Sequence, residues 1–249
     1  MEGKLAGNVR LFGSRPSPFV EKVIRALQLK GISFEPVPVK SPSDFKRWNP
    51  QTGKMPVLEV GGERVYDSTF ILRKLEEWAP EPPLFSQDAR TAARQRFLED
   101  WSDESLYWYV MALRWNDVNV EATTAQIAAT LPVPAILRAV VKPLLRRQIR
   151  SQAMGQGLAR QPLERVLSEL ELRFQELDVL LGDSPFFFSD RLGAADLAIF
   201  GQLAALRSGP TPQGVAVLER HPALCEHYRR VDEATAQGRS AQSAKQKAA

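Results

Sequence analysis

Cysteine is nearly absent: Cys225 stands alone among 249 residues. That excludes an internal disulfide framework and any cysteine-based zinc cluster. Histidine is almost as scarce. His221 and His227 lie close together without further ligands beside them, so no metal site is expected. No run reaches the ~18–20 apolar residues that a membrane-crossing helix needs. The first positions hold Glu2 and Lys4 with no long apolar stretch behind them, which argues against a secretory leader. With a single thiol, the expectation is a cytoplasmic protein. Acidic residues are missing from one stretch: residues 131–150 carry Arg138, Lys142, Arg146, Arg147 and Arg150 and no Asp or Glu. A basic helix of that kind suits peripheral contact with an anionic membrane, a partner, or simply a solvated face. No nucleic-acid recognition motif accompanies it, so nucleic acid is not an expected partner.

Charged residues make up 25% and hydrophobic ones 44%, ordinary values that allow a sizeable core. The first 80 residues mix strand and helix signals. Val9 to Phe12 is short and β-prone. Ser17-Pro18 opens a helix, with serine at the N-cap and proline in the first turn, and Gly31 ends it. Residues 33–39 read as a second strand and 42–48 as a short helix or turn. Residues 56–60 and 63–66 are strands joined by Gly61-Gly62, a hairpin signal, and Phe70 to Trp78 marks a helix. The order βαβ, helix, ββα fits a thioredoxin-like domain over residues 1–80. Pro80, Pro82 and Pro83 form a stiff linker.

From there the periodicity is helical. One long helix is expected from Ala89 to about Asn116, another along Leu163 to Leu181, and two more over 194–207 and 222–236. The expected organisation is an α/β thioredoxin-like N-terminal domain followed by an all-α domain over 81–237. A basic tail from Gly238, small and polar, is expected to be disordered.

Three segments then resemble the glutathione-transferase superfamily, over roughly residues 8–235. The first is Ser17-Pro18-Phe19-Val20-Glu21-Lys22 with Ala26-Leu27 and Gly31, which is similar to the active-site turn and first helix of omega-, zeta- and theta-like classes. The second is Asn49-Pro50, Gly53-Lys54-Met55-Pro56-Val57-Leu58 and Tyr66-Asp67-Ser68, which resembles the glutathione-binding core. The third is Arg191-Leu192-Gly193-Ala194-Ala195-Asp196-Leu197, like the capping segment of the family's buried C-terminal helix. A narrower likeness to the failed-axon-connections and metaxin-like branch runs through 106–115, 131–150, 155–160 and 185–191.

The resemblance implies glutathione as co-substrate, a hydrophobic electrophile as its partner, no metal, and a homodimer. It places Ser17 at the thiol, where the hydroxyl would donate to the sulfur; the other reading of Ser17 is a plain N-cap, with Ser14 as the nearest substitute. The omega-like cysteine is absent from that position, which disfavours reduction through a mixed disulfide. Pro56 is expected in the cis form, with the Met55 backbone pairing with the cysteinyl unit. Asp67 and Ser68 would hold the γ-glutamyl end at a helix N-terminus, and Lys54 the glycyl carboxylate. Trp108, Met111 and Trp115 are candidate walls for the electrophile, and Arg114 would steer an anionic one. Asp196 is expected to reach back to a backbone N–H without the reciprocal side-chain bond, since Gly193 replaces the usual serine or threonine. His221 and Cys225 read as packing residues. Conjugation is the first function expected. A non-catalytic glutathione-binding or scaffold protein is the second, and a glutathione-dependent lyase, isomerase or dehalogenase the third.

Overall fold

Strand β1 (Val9–Phe12) alternates: Val9 and Leu11 turn to one side of the sheet, Arg10 and Phe12 to the other. It pairs in parallel with β2 (Glu35–Val37) and antiparallel with β3 (Val57–Val60), and β3 pairs antiparallel with β4 (Glu63–Tyr66). The sheet order is β2-β1-β3-β4. Helix α1 (Pro18–Leu29) makes the parallel crossover and, with α3 (Ser68–Trp78), buries the Val9–Leu11 face; Leu58, Val60, Ile71, Leu72 and Leu75 complete that layer. Helix α2 (Pro42–Trp48) covers one end of the opposite face, where Trp48 packs on Phe12 with ring centroids 5.0 Å apart and the ring planes tilted by 53°. The computed structural model describes residues 8–15, 17–130 and 135–236. The basic tail from Gly238 lies outside them.

The linker is pinned. Lys30 donates to the carbonyls of Ala79 and Pro82, and Leu84 is fully buried in the first core. Beyond it the expected single helix from Ala89 to about Asn116 is corrected in one respect. Helix α4 (Ala89–Trp101) passes through a π-helical turn at Ser102–Leu106 before continuing as α5 (Tyr107–Trp115). A π turn inserts one extra residue per turn and re-aims the side chains it carries. Helices α6 (Val120–Thr130), α7 (Ala135–Gln156) and α8 (Leu163–Leu181) follow. Val166, Leu170, Phe174, Leu177 and Leu181 form the buried stripe of α8 at spacings of four and three. Helices α9 (Ala194–Ser208), α10 (Pro212–Leu218) and α11 (Pro222–Ala234) close the domain.

Helix α9 is the seam between the halves. A Cβ on Gly201 would sit 2.5 Å from the Pro18 carbonyl oxygen, so only glycine lets α9 approach the start of α1 this closely. Leu197 and Phe200 on α9 belong to the same core as the sheet. Asp196 anchors the entry to α9, accepting from the backbone N–H of Gly193 and of Phe187 at 2.8 Å each, and it pairs with buried His227 at 2.8 Å. The missing serine at 193 has a physical cause: a Cβ there would lie 2.9 Å from the Leu84 carbonyl oxygen. His221 is buried between Asp178 and Glu171, and Cys225 packs against the helical core.

Candidate functional site

Ser17 takes extended backbone and caps α1, its Oγ accepting from the Val20 N–H at 3.4 Å. That is a long bond, weaker than the usual 2.9–3.0 Å contact. Ser14, the substitute considered for it, is committed elsewhere: its Oγ accepts from the Val39 N–H at 2.9 Å, beyond the end of β2. Just before Ser14 lies Gly13, with φ at +143°. A Cβ on Gly13 would collide with Val20 at 2.6 Å and touch the Met55 side chain at 3.5 Å. This glycine therefore brings the α1 turn and the Met55 strand entry into one place.

The Met55–Pro56 bond is cis, as the family resemblance implied. The turn before it is organised by Asn49, which is buried. Its side-chain amide donates to Thr52 Oγ1 at 2.8 Å and to the Lys54 carbonyl at 2.9 Å, and its Oδ1 accepts from the Thr52 N–H. Sequence reading quoted Asn49 without giving it a task. The Lys54 side chain is exposed. Asp67, at φ +73°, caps α3 by accepting from the Thr69 N–H at 2.9 Å; Ser68 is buried at the first helical position behind it.

Behind Ser68 lies a charged cluster that sequence reading missed. Lys22 of α1 is 1% exposed, and its ammonium donates to Glu99 Oε1 at 2.5 Å and to Asp103 Oδ2 at 2.6 Å. Thr69 Oγ1 donates to the same Glu99 oxygen at 2.6 Å, and Ser68 Oγ lies 3.5 Å from Asp103 Oδ2. The cluster thus ties α1, α3, α4 and the π turn together directly under the candidate binding residues. Burial pulls the Lys22 ammonium down, but the charges and hydrogen bonds of Asp103 and Glu99 outweigh it and leave the pKa above the usual lysine value. Burial pushes Asp103 up, against the pull of Lys22, to about 6. The one signal in the sequence was the i, i+4 spacing of Glu99 and Asp103, which places two carboxylates on one helix face.

Along α5 the predicted wall divides. Tyr107, half-buried, packs on Phe19 of α1 with ring centroids 5.0 Å apart, and Trp108 stands against Tyr107 at 5.1 Å. Tyr107 thus adjoins the first turn of α1, with Trp108 behind it. Met111 and Arg114 follow on the Tyr107 face, at i+4 and i+7, and are both buried. Arg114 donates to Gln126 Oε1 at 3.1 Å and lies against Gly209; burial pulls its pKa down. Trp115, 1% exposed, is embedded in the helical core and packs there.

The glycine-shaped α1 turn, the cis-proline strand entry and the capped α3 terminus are one constellation. Two family models match the chain: "Glutathione S-transferase, N-terminal domain" over residues 11–83 and "Glutathione S-transferase, C-terminal domain" over 170–231. A probable glutathione transferase from Aplysia californica is 36% identical over 33% of this chain and 91% of its own length. The chain belongs to the glutathione S-transferase superfamily. An isoprene-epoxide glutathione S-transferase from Rhodococcus is 25% identical over 86% of this chain and 91% of that protein. The chain spans about half the length of several plant transferases it matches, 48% for one from Zea mays at 37% identity over 40% of this chain. The solved beta-etherase LigF from Sphingobium shares the fold, with a TM-score of 0.67 at 24% identity, covering 94% of this transferase-family chain and 99% of LigF.

Proposed function

We propose that this protein conjugates glutathione to a hydrophobic electrophile, with Ser17 holding the thiolate. The reading rests on Ser17. Its oxygen accepts only a long bond from Val20, and among the described residues no acceptor takes its proton, so the hydroxyl is free to donate toward a sulfur at the start of α1. A hydroxyl accepts and donates at once, so capping and thiol binding do not compete. Glutathione attacks as the thiolate, of which a free thiol offers ~3% at neutral pH. Lowering its pKa by ~2 units takes ~2.7 kcal/mol. A hydrogen bond to charged sulfur supplies ~1.5–3 kcal/mol, and the α1 N-terminus adds ~1–2 kcal/mol in a partly buried site.

In this reading Met55 offers its backbone to the cysteinyl unit. Asp67 receives the γ-glutamyl ammonium, and the α3 terminus with Ser68 receives the carboxylate beside it. Lys54, exposed and mobile on its stem, reaches the glycyl carboxylate. Trp108 and Met111, with Tyr107, form the apolar side for the electrophile, and Arg114 favours an anionic one. The Rhodococcus relative is named for an epoxide of a small hydrocarbon, which supports an apolar electrophile. Homodimerisation belongs to the same reading. Phe70 on α3 and Phe97 on α4 are 57% and 80% exposed and offer apolar surface to a second copy.

Calorimetry with glutathione, and turnover of an electrophile panel, test the proposal. Ser17→Ala is expected to bind glutathione, to lose ~10–100-fold in kcat/KM, and to raise the pKa of the bound thiol, followed by thiolate absorbance. Binding without turnover, unchanged in Ser17→Ala, would instead make the chain a non-catalytic glutathione-binding scaffold. No heat of binding at millimolar glutathione would overturn both readings.

A further inference from the structure

Helix α7 carries five cations and no carboxylate in 22 residues. Lys142, Arg146 and Arg150 repeat at i, i+4 and i+8, so like charges stack along one face, an arrangement that costs helix stability. These three and Arg147 line a cleft of about 710 Å³ between α7 and α6, with Glu121 as the one carboxylate in its wall. Pro143 and Met154 add apolar lining.

The cleft's existing counter-ions are weakly held. Arg146 bonds Glu121 and Arg150 bonds Asp117, but those carboxylate side chains are 75% and 84% exposed. Exposed pairs of this kind contribute little and are readily exchanged. Lys142 and Arg147 are exposed and have no carboxylate partner among the described residues. The concave wall therefore presents two uncommitted cations beside two guanidinium groups whose partners can be displaced. Guanidinium forks match the oxygens of a phosphate, and a phosphomonoester or diphosphate brings more than one negative charge to a single point. A lone carboxylate would leave most of that positive charge unanswered.

We propose that the α6–α7 cleft is a second binding site, separate from the Ser17 site, that takes a phosphomonoester or diphosphate group. Such a group is carried by soluble metabolites and by anionic lipid headgroups, and both present the same chemistry to Lys142, Arg146, Arg147 and Arg150.

The test uses the full chain and two probes. Inorganic pyrophosphate is titrated by calorimetry at low and high salt. Flotation is run with phosphatidylcholine vesicles with and without phosphatidic acid. The variant Lys142→Gln/Arg147→Gln removes two exposed cations that have no carboxylate partner among the described residues, so the fold is expected to keep its melting temperature. Arg90→Gln/Arg165→Gln removes the same charge elsewhere on the surface. The expected result is saturable, salt-sensitive binding that weakens at least ~10-fold in the cleft variant and stays within ~2-fold in the control. Binding of pyrophosphate alone assigns a soluble ligand, retention on phosphatidic acid alone assigns a lipid, and competition between them assigns one site open to both. Failure of both probes, or equal weakening in both variants, overturns the proposal.

Discussion

Lys22→Met isolates the energetics of the buried cluster. In the native chain one ammonium serves two carboxylates at 2.5 and 2.6 Å, and the three side chains are 1, 2 and 10% exposed. Methionine keeps the volume and the apolar stem but removes the cation. Glu99 and Asp103 are then left facing each other, and at neutral pH one must take up a proton or stay charged without a partner. Breaking a buried pair in this way costs ~3–5 kcal/mol, against ~0–1 kcal/mol for a surface pair. For a chain of this length that is a fall of ~6–20 °C in melting temperature. Chemical denaturation at pH 7.5 reads the loss. A second-site change, Asp103→Leu in the Lys22→Met background, is expected to restore part of it, since only one carboxylate then remains. Glutathione affinity in Lys22→Met should weaken as well, because the cluster supports Ser68 and the first turns of α1 and α3. A loss below ~1 kcal/mol, with no gain from the second change, would mean that water solvates the cluster, and the argument from burial would fail.

The remaining predictions concern single positions. Asp103 has a folded pKa of about 6 against ~3.9 for an unfolded carboxyl, so the folded chain binds the extra proton and this group's contribution to stability falls as pH rises from about 4 to about 6. Asp103→Asn should remove that decline, worth up to ~3 kcal/mol, in denaturation curves taken across the window; an unchanged slope refutes the assignment. Gly193→Ser would complete a capping box by sequence logic. It should nevertheless destabilise by ~1–3 kcal/mol, because its Cβ meets the Leu84 carbonyl at 2.9 Å; a gain in melting temperature would show that the strand of chain at Leu84 yields freely. If the proposed homodimer forms through these exposed rings, Phe70→Glu/Phe97→Glu lowers the mass read by light scattering to that of a monomer, and an unchanged mass refutes that contact.

The elements were legible where local chemistry decides them. Ser17-Pro18 marks the start of α1, Gly61-Gly62 the hairpin, and the three- and four-residue spacing of α8 its buried face. The cis Met55–Pro56 bond and the Asp67 cap of α3 were legible too, since Met55-Pro56 and Asp67-Ser68 are contiguous pairs at element boundaries. The Lys22 cluster was not, because its members come from positions 22, 69, 99 and 103 and meet only once α1, α3 and α4 are packed. The π turn that carries Asp103 leaves no mark in the helical periodicity around it. Trp115 shows the converse: an aromatic at helical spacing on α5 looked like a pocket wall, and the packing of the helical domain buried it in the core. The Gly193 departure from the capping pattern likewise has its cause more than a hundred residues away, at Leu84.

The α1–α9 seam has a consequence for how the chain is made. The sheet and α3 are complete by Trp78, yet Leu197 and Phe200, which close the same core, belong to a helix that starts at Ala194, 116 positions later. At ~5–20 residues per second a ribosome takes ~6–24 s to cover that interval. Throughout it, the nascent first half presents to the cell an apolar groove that has no occupant until α9 emerges. Chaperone engagement during synthesis should therefore concentrate on the nascent chain in this interval and subside once α9 is free to dock.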